Sequence, residues 1–169
     1  MRINCVRELK NQFGPNFIGG VEGTEFAVRN YRDYVADASI TKKRVYLELL
    51  RSADICVSTA GLRQSNPWKF AEYLAMAKAI VSEPLAHRVP GPLRPGTHYL
   101  EFRSPEECVQ KAVFLYENPE QRYAMMQQNH HYYQAFLRPD VLVWNTFRTT
   151  LGEQLPSLCE EQMALVSRD

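Results

Sequence analysis

The sequence carries almost no surplus of charge: 20 basic and 19 acidic side chains leave a formal net charge of +1. A chain so balanced lacks the concentrated positive surface that non-specific nucleic-acid binding needs, so no nucleic-acid partner is expected. It has no apolar run near the length that spans a bilayer, and its first residues, MRINCVRELK, lack the apolar core of a signal peptide. A cytoplasmic, soluble protein with no membrane span is the expectation. Cysteine is scarce and dispersed: Cys5, Cys56, Cys108 and Cys159 show no metal-like pairing. Reduced, mostly buried thiols are expected rather than a disulfide or zinc framework. No internal repeat, low-complexity segment or acidic metal motif is present. His130-His131 does not supply a metal site either, because adjacent histidines point to different helical faces and no acid lies three or four residues away. No metal and no cofactor are expected.

What is present is enough apolar material for one domain. A chain of 169 residues that is 45% hydrophobic can bury an ordinary core. The most informative stretch runs from Arg63 to Pro84, RQSNPWKFAEYLAMAKAIVSEP. Asn66 suits an N-cap and Pro67 a first helical position, so a helix is expected from Pro67. Phe70, Tyr73, Leu74 and Ala77 recur at helical spacing as its core face, with Lys69 and Glu72 off that face. Lys78 is expected to close it in the position favoured by the helix dipole. Ala79-Ile80-Val81-Ser82 then reads as a buried strand ended by Glu83-Pro84. Before the helix, Asp54-Ile55-Cys56-Val57-Ser58 is a second short apolar run of the kind found in parallel sheets. Strand, loop, helix and strand make a βαβ unit, whose Ser58–Asn66 loop lies at the carboxyl end of the first strand, where open α/β sheets bind ligands. The free N–H groups and positive dipole end of the helix start favour an anion there.

In chain order, Ile3, Val6, Leu9 and Phe13 predict an opening helix stopped by Gly14-Pro15, and Asn16–Gly20 reads as a short strand. Residues 21–40 show no periodicity and read as a loop with a short strand. Thr41 is placed as the cap of a helix over 42–52, with Val45, Tyr46, Leu49 and Leu50 on its apolar side. The basic cluster Lys42-Lys43-Arg44 in its first turn reads as a solvated helix end, or else as a contact for an acidic partner. Prolines and glycines between Leu85 and Thr97 exclude a regular element, and His98–Phe102 is expected to be the last strand. Ser104-Pro105-Glu106-Glu107 and Asn118-Pro119-Glu120 are helix starts, the second helix running to about Phe136. A final helix is expected over Val141–Leu151, with Trp144 and Phe147, and residues 153–169 as a tail. His87 and Arg88, near the ligand edge, read as surface residues.

The segment Pro67–Val81 resembles the proline, lysine, glutamate-tyrosine, leucine-alanine, glycine-lysine-proline-valine segment of nucleotide-sugar glycosyltransferases with the GT-B fold, group 1 type. Pro92–Tyr99 is similar to the proline, leucine, proline-glycine, histidine-tyrosine stretch of CAP10-type glycosyltransferases. The resemblance implies a single Rossmann-like three-layer α/β domain over residues 1–152, with a short parallel sheet flanked by helices and a helical C-terminal third. It would be the donor-binding half, without the family's first strand and its separate N-terminal acceptor domain. It further implies that Glu72 holds the ribose hydroxyls of a nucleoside diphosphate sugar, the substrate rather than a cofactor. Lys69, Ser65 and Asn66 would lie against the diphosphate, with Gly61 on the same loop. Gln64 stands where many members carry a second glutamate, and Ala77 where they carry glycine. The catalytic base, where the family has one, is expected in the other half, so the chain alone is expected to bind donor without transferring sugar. The alternative, from a different class, is a non-catalytic subunit of the same fold that self-associates or docks on another chain through its final helix or a sheet edge.

Overall fold

The computed structural model describes residues 1–152; the expected tail from 153 to 169, with Cys159, lies outside them. The sheet has three parallel strands in sequence order: β1 (Ile55–Ser58), β2 (Ala79–Ser82) and β3 (Leu100–Glu101). Ile55 pairs with Ala79 and Val81 with Leu100, so β2 is central, and all four of its residues are buried. Alternation of side chains along a strand divides the core into two layers. On one face Ile55, Val57, Ala79 and Val81 meet Cys5 and Leu9 of α1 (Arg2–Phe13) and Cys108, Ala112 and Leu115 of α6 (Pro105–Glu117). On the other face Cys56 and Ile80 meet Leu50 of α4 (Lys43–Ser52), Phe70, Tyr73 and Leu74 of α5 (Trp68–Ala75), and Tyr132 of α7 (Pro119–Tyr132). Helices on both faces of a parallel sheet give the expected Rossmann-like arrangement.

The start signals of the C-terminal third act as read. The Ser104 hydroxyl accepts the Glu107 N–H at 3.2 Å, and Pro105 and Pro119 open α6 and α7. A five-residue π turn over Tyr133–Leu137 follows, and α8 (Pro139–Leu151) begins at a third proline. Cys5, Cys56 and Cys108 are buried free thiols.

Several expectations are corrected. Asn16–Gly20 forms no strand: a tight turn at Gly14–Asn16 leads to Val21, which makes a single bridge with Val35 away from the sheet. The chains approach closely there, since a Cβ on Gly20 would lie 2.6 Å from the Ala36 nitrogen. The region read as a loop holds α2 (Glu25–Tyr31), capped by Thr24, and α3 (Ala38–Thr41), capped by Asp37. Thr41 ends α3, its hydroxyl donating to Ala38 O, so it cannot cap α4. Helix α5 ends at Ala75 rather than Lys78, because Ala77 turns into the left-handed region at φ 51°. Lys78 still meets a helix C-terminus, but that of α4: its buried ammonium donates to Arg51 O at 2.9 Å.

Strand β3 is shorter than expected because His98 is taken up by the preceding turn, where Nδ1 accepts the Arg94 N–H at 3.1 Å. The ring proton therefore sits on Nε2. Burial holds this imidazole below its ordinary pKa. As pH falls through about 6.5 the unfolded imidazole takes a proton that the folded one refuses, so stability drops until the lower folded value is passed. Urea midpoints measured at neutral and mildly acidic pH should fall more for the wild type than for His98→Gln.

Candidate functional site

Helices that alternate with parallel strands run back against them, so the starts of α1, α4 and α5 all lie at the edge where β1 and β2 end. The loop leaving β1 is braced there from several directions. Arg2, at the start of α1, donates from Nε to Thr59 Oγ1 at 2.7 Å and from its terminal nitrogen to Ala60 O at 2.9 Å. Glu83, just past β2, accepts the Ala60 N–H at 2.7 Å while its own N–H reaches Ser58 O at 3.1 Å. Gly61 N–H closes a turn onto Ser65 O at 2.8 Å, and a Cβ on Gly61 would stand 2.4 Å from Ser65 Oγ. Inside that turn Arg63 and Gln64 take positive φ values of 54° and 62°, a conformation that costs energy for residues with side chains.

Asn66 does not cap the helix. Its amide donates to His87 O at 2.9 Å and its carbonyl accepts the His87 N–H at 3.3 Å, tying the loop to the segment that follows β2. This contact also gives a role to the backbone of His87, which sequence reading left at the surface. Pro67 takes the position before the helix and offers no side-chain cap, so the first N–H groups of α5, on Trp68 and Lys69, are left without one. Gly61, Gln64, Ser65 and Asn66 therefore share one loop at the carboxyl end of β1, as expected from the βαβ reading. Trp68 is 91% exposed beside them.

Lys69 and Glu72 form a second group on the outward side of α5. The Lys69 ammonium lies 5.2 Å from the centre of the Tyr46 ring, and the Lys43 ammonium lies 5.5 Å from the same ring. Lys43 also forms an ion pair with Glu72, an acid of its own chain, while its side chain and that of Arg44 stay largely in water, as expected of a solvated helix end. Arg44 pairs with Glu48 one turn along α4, at 3.1 Å. Burial opposes ionisation of Glu72, but the Lys43 ammonium and the Lys69 charge outweigh it and hold the carboxyl below its ordinary pKa. Burial also pushes the Tyr46 phenol well above its usual value, so it stays a neutral hydroxyl.

Arg2, Glu83, Lys43 and Tyr46 were not recognised as site residues from sequence. Each acts across the fold, and nothing in its local spacing announces a partner. Chemically, the edge offers uncapped N–H groups at a positive helix end, a guanidinium at the loop, and an ionised carboxylate about one turn along the same helix. That set can hold an anion and a hydroxyl-rich group together. Among the described residues no three His, Cys, Asp or Glu side chains gather as a metal site, and no helix is long and apolar enough to cross a membrane.

No curated protein and no solved structure matches the chain. A family model described as glycosyl transferase-like matches residues 2–139, from the start of α1 to the start of α8 and across every residue of the edge just described. The chain belongs to the glycosyl transferase-like family.

Proposed function

We propose that this domain binds the donor of a glycosyl transfer reaction, a nucleoside diphosphate sugar, in the manner of GT-B enzymes of the group 1 type, with a local likeness to the CAP10 type. One observation carries the reading: in a chain of this family, an uncapped helix start and an ionised carboxylate lie about one turn apart on the same helix, α5, at the ligand edge of a parallel sheet. The diphosphate takes the uncapped N–H groups of Trp68 and Lys69 and the side chain of Ser65, with Arg2 supplying positive charge at the loop. Both hydroxyls of the ribose donate to the carboxylate of Glu72. We assign Gln64, which lies in the same loop, to the transferred sugar. A separate acceptor-binding domain completes the cleft, and the present domain alone binds donor and leaves the sugar untransferred because one side of the site stays open to water.

Calorimetric titration with UDP, GDP and ADP tests this. Saturable binding to one of the three is expected, weakened about tenfold by Glu72→Ala through loss of charge-assisted hydrogen bonds. Absence of binding to all three at millimolar concentration overturns the proposal.

A second reading rests on α8. None of its residues is buried, and Val143, Trp144 and Phe147 are each about half exposed along one stripe. A thirteen-residue helix with so little packing gains little from its own propensity, which favours a non-catalytic subunit that docks through this face. Stable self-association without nucleotide affinity would support it.

A further inference from the structure

We infer that Lys43 is a positioning residue that keeps the Glu72 carboxylate occupied until the two ribose hydroxyls of a nucleoside displace it, so that Lys43 sets how readily the site accepts a diol. The inference rests on the reading of Glu72 as the ribose ligand.

The contact joins two helices. Lys43 is the first residue of α4 and Glu72 lies in the second turn of α5, 29 positions further along the chain, with the ammonium bonded to Oε1. A vicinal diol uses both oxygens of a carboxylate, and one of them is already taken. The two partners differ in freedom. The Lys43 side chain is 66% exposed, whereas that of Glu72 is 29% exposed, so the lysine can swing into water while the carboxylate stays in place.

Two further features favour its departure. Lys43 stands at a helix N-terminus, where the dipole opposes a cation and no side-chain cap is present. Lys69 stays within reach of the same Tyr46 ring and keeps a positive charge beside Glu72 after Lys43 has left. An exposed ion pair of this kind is weak. It is weak enough for a ligand to displace, and strong enough to subtract measurably from the ligand's affinity.

The test uses an uncharged nucleoside, so that phosphate does not enter the comparison. The probe is uridine, guanosine or adenosine, matched to the diphosphate that binds, titrated by NMR into the wild-type chain and into Lys43→Met. The variant should bind the nucleoside about three- to fivefold more tightly, the full worth of an exposed pair. Raising the salt concentration should tighten nucleoside binding to the wild type by screening the pair, and leave the variant unchanged. The matching 2′-deoxynucleoside, which lacks the diol, should gain nothing from Lys43→Met. Equal or weaker nucleoside binding by Lys43→Met, alongside diphosphate binding that still depends on Glu72, overturns the inference and leaves the donor reading standing. Failure of both proteins to bind nucleoside or diphosphate overturns the reading of Glu72 and this inference with it.

Discussion

Asn129→Leu is expected to lower the free energy of unfolding by about 2–4 kcal/mol, although the substitution adds apolar surface to the interior. Asn129 lies on α7 with no exposed surface, and its amide donates to Lys78 O at 2.7 Å and to His98 O at 2.8 Å. Those carbonyls belong to the residues that lead into β2 and β3, so one side chain satisfies the backbone at two strand entries. Leucine fills nearly the same space and leaves both carbonyls buried without a donor, at about 1–3 kcal/mol each before relaxation. Asn129→Asp is the sharper control. It preserves shape but replaces the donor by a carboxylate facing two carbonyl oxygens, so its loss should exceed that of leucine. Urea unfolding of the three proteins checks the order wild type, leucine, aspartate. A leucine variant as stable as the wild type would show that the two carbonyls find other donors.

Phe102→Ala should cost about 3–5 kcal/mol, the range for emptying a large buried aromatic site. Phe102 is wholly buried just beyond β3, among Leu9 of α1, Val81 of β2 and Leu115 of α6, and its N–H continues the sheet pattern by donating to Ser82 O at 2.9 Å. A cavity there separates α1 from α6, the helices that cover one face of the sheet. Phe102→Leu should lose about 1–2 kcal/mol, because most of the volume is kept. Thermal unfolding of both variants tests the comparison, with Trp68→Ala as an exposed site where little change is expected.

The parts of the fold that were legible in sequence are those set by short-range rules. Ser104-Pro105 marks a helix start through local hydrogen bonding and proline geometry, Asn118-Pro119 through the proline alone, and the apolar runs at Ile55 and Ile80 announce buried strands whatever surrounds them. Other parts depend on partners distant in the chain. Asn66 has the chemistry of a cap, but His87 offers its amide two hydrogen bonds, and the reciprocal pair prevails. Lys78 does reach a helix end, though it belongs to α4 rather than α5, because Ala77 reverses the backbone one residue earlier. Asn16–Gly20 reads as a strand by composition, yet it begins in a turn and its end, with Val21, meets residues 34–36 instead of joining the sheet. The same division holds at the candidate site. The loop from Gly61 to Asn66 could be placed from the βαβ pattern, whereas Arg2 and Lys43 enter through contacts 57 and 29 residues long, which no local spacing encodes.

The bracing of the loop after β1 has a consequence for inheritance. Gly61, Gln64, Ser65, Asn66, Lys69, Glu72, Glu83 and His87 all fall in one uninterrupted stretch of chain, and among the described residues Arg2 and Lys43 reach this ligand edge from elsewhere as charged side chains. A lineage can therefore retain the scaffold while the edge drifts, or regain a working edge by changes confined to that stretch. On the opposite face of the sheet, α1 is tied to the edge through Arg2, whereas α6 supplies none of the side chains named there. Divergence in ligand preference among descendants of such a chain should concentrate between Ser58 and Arg88, with Arg2 and Lys43 as the two outlying positions that change in step.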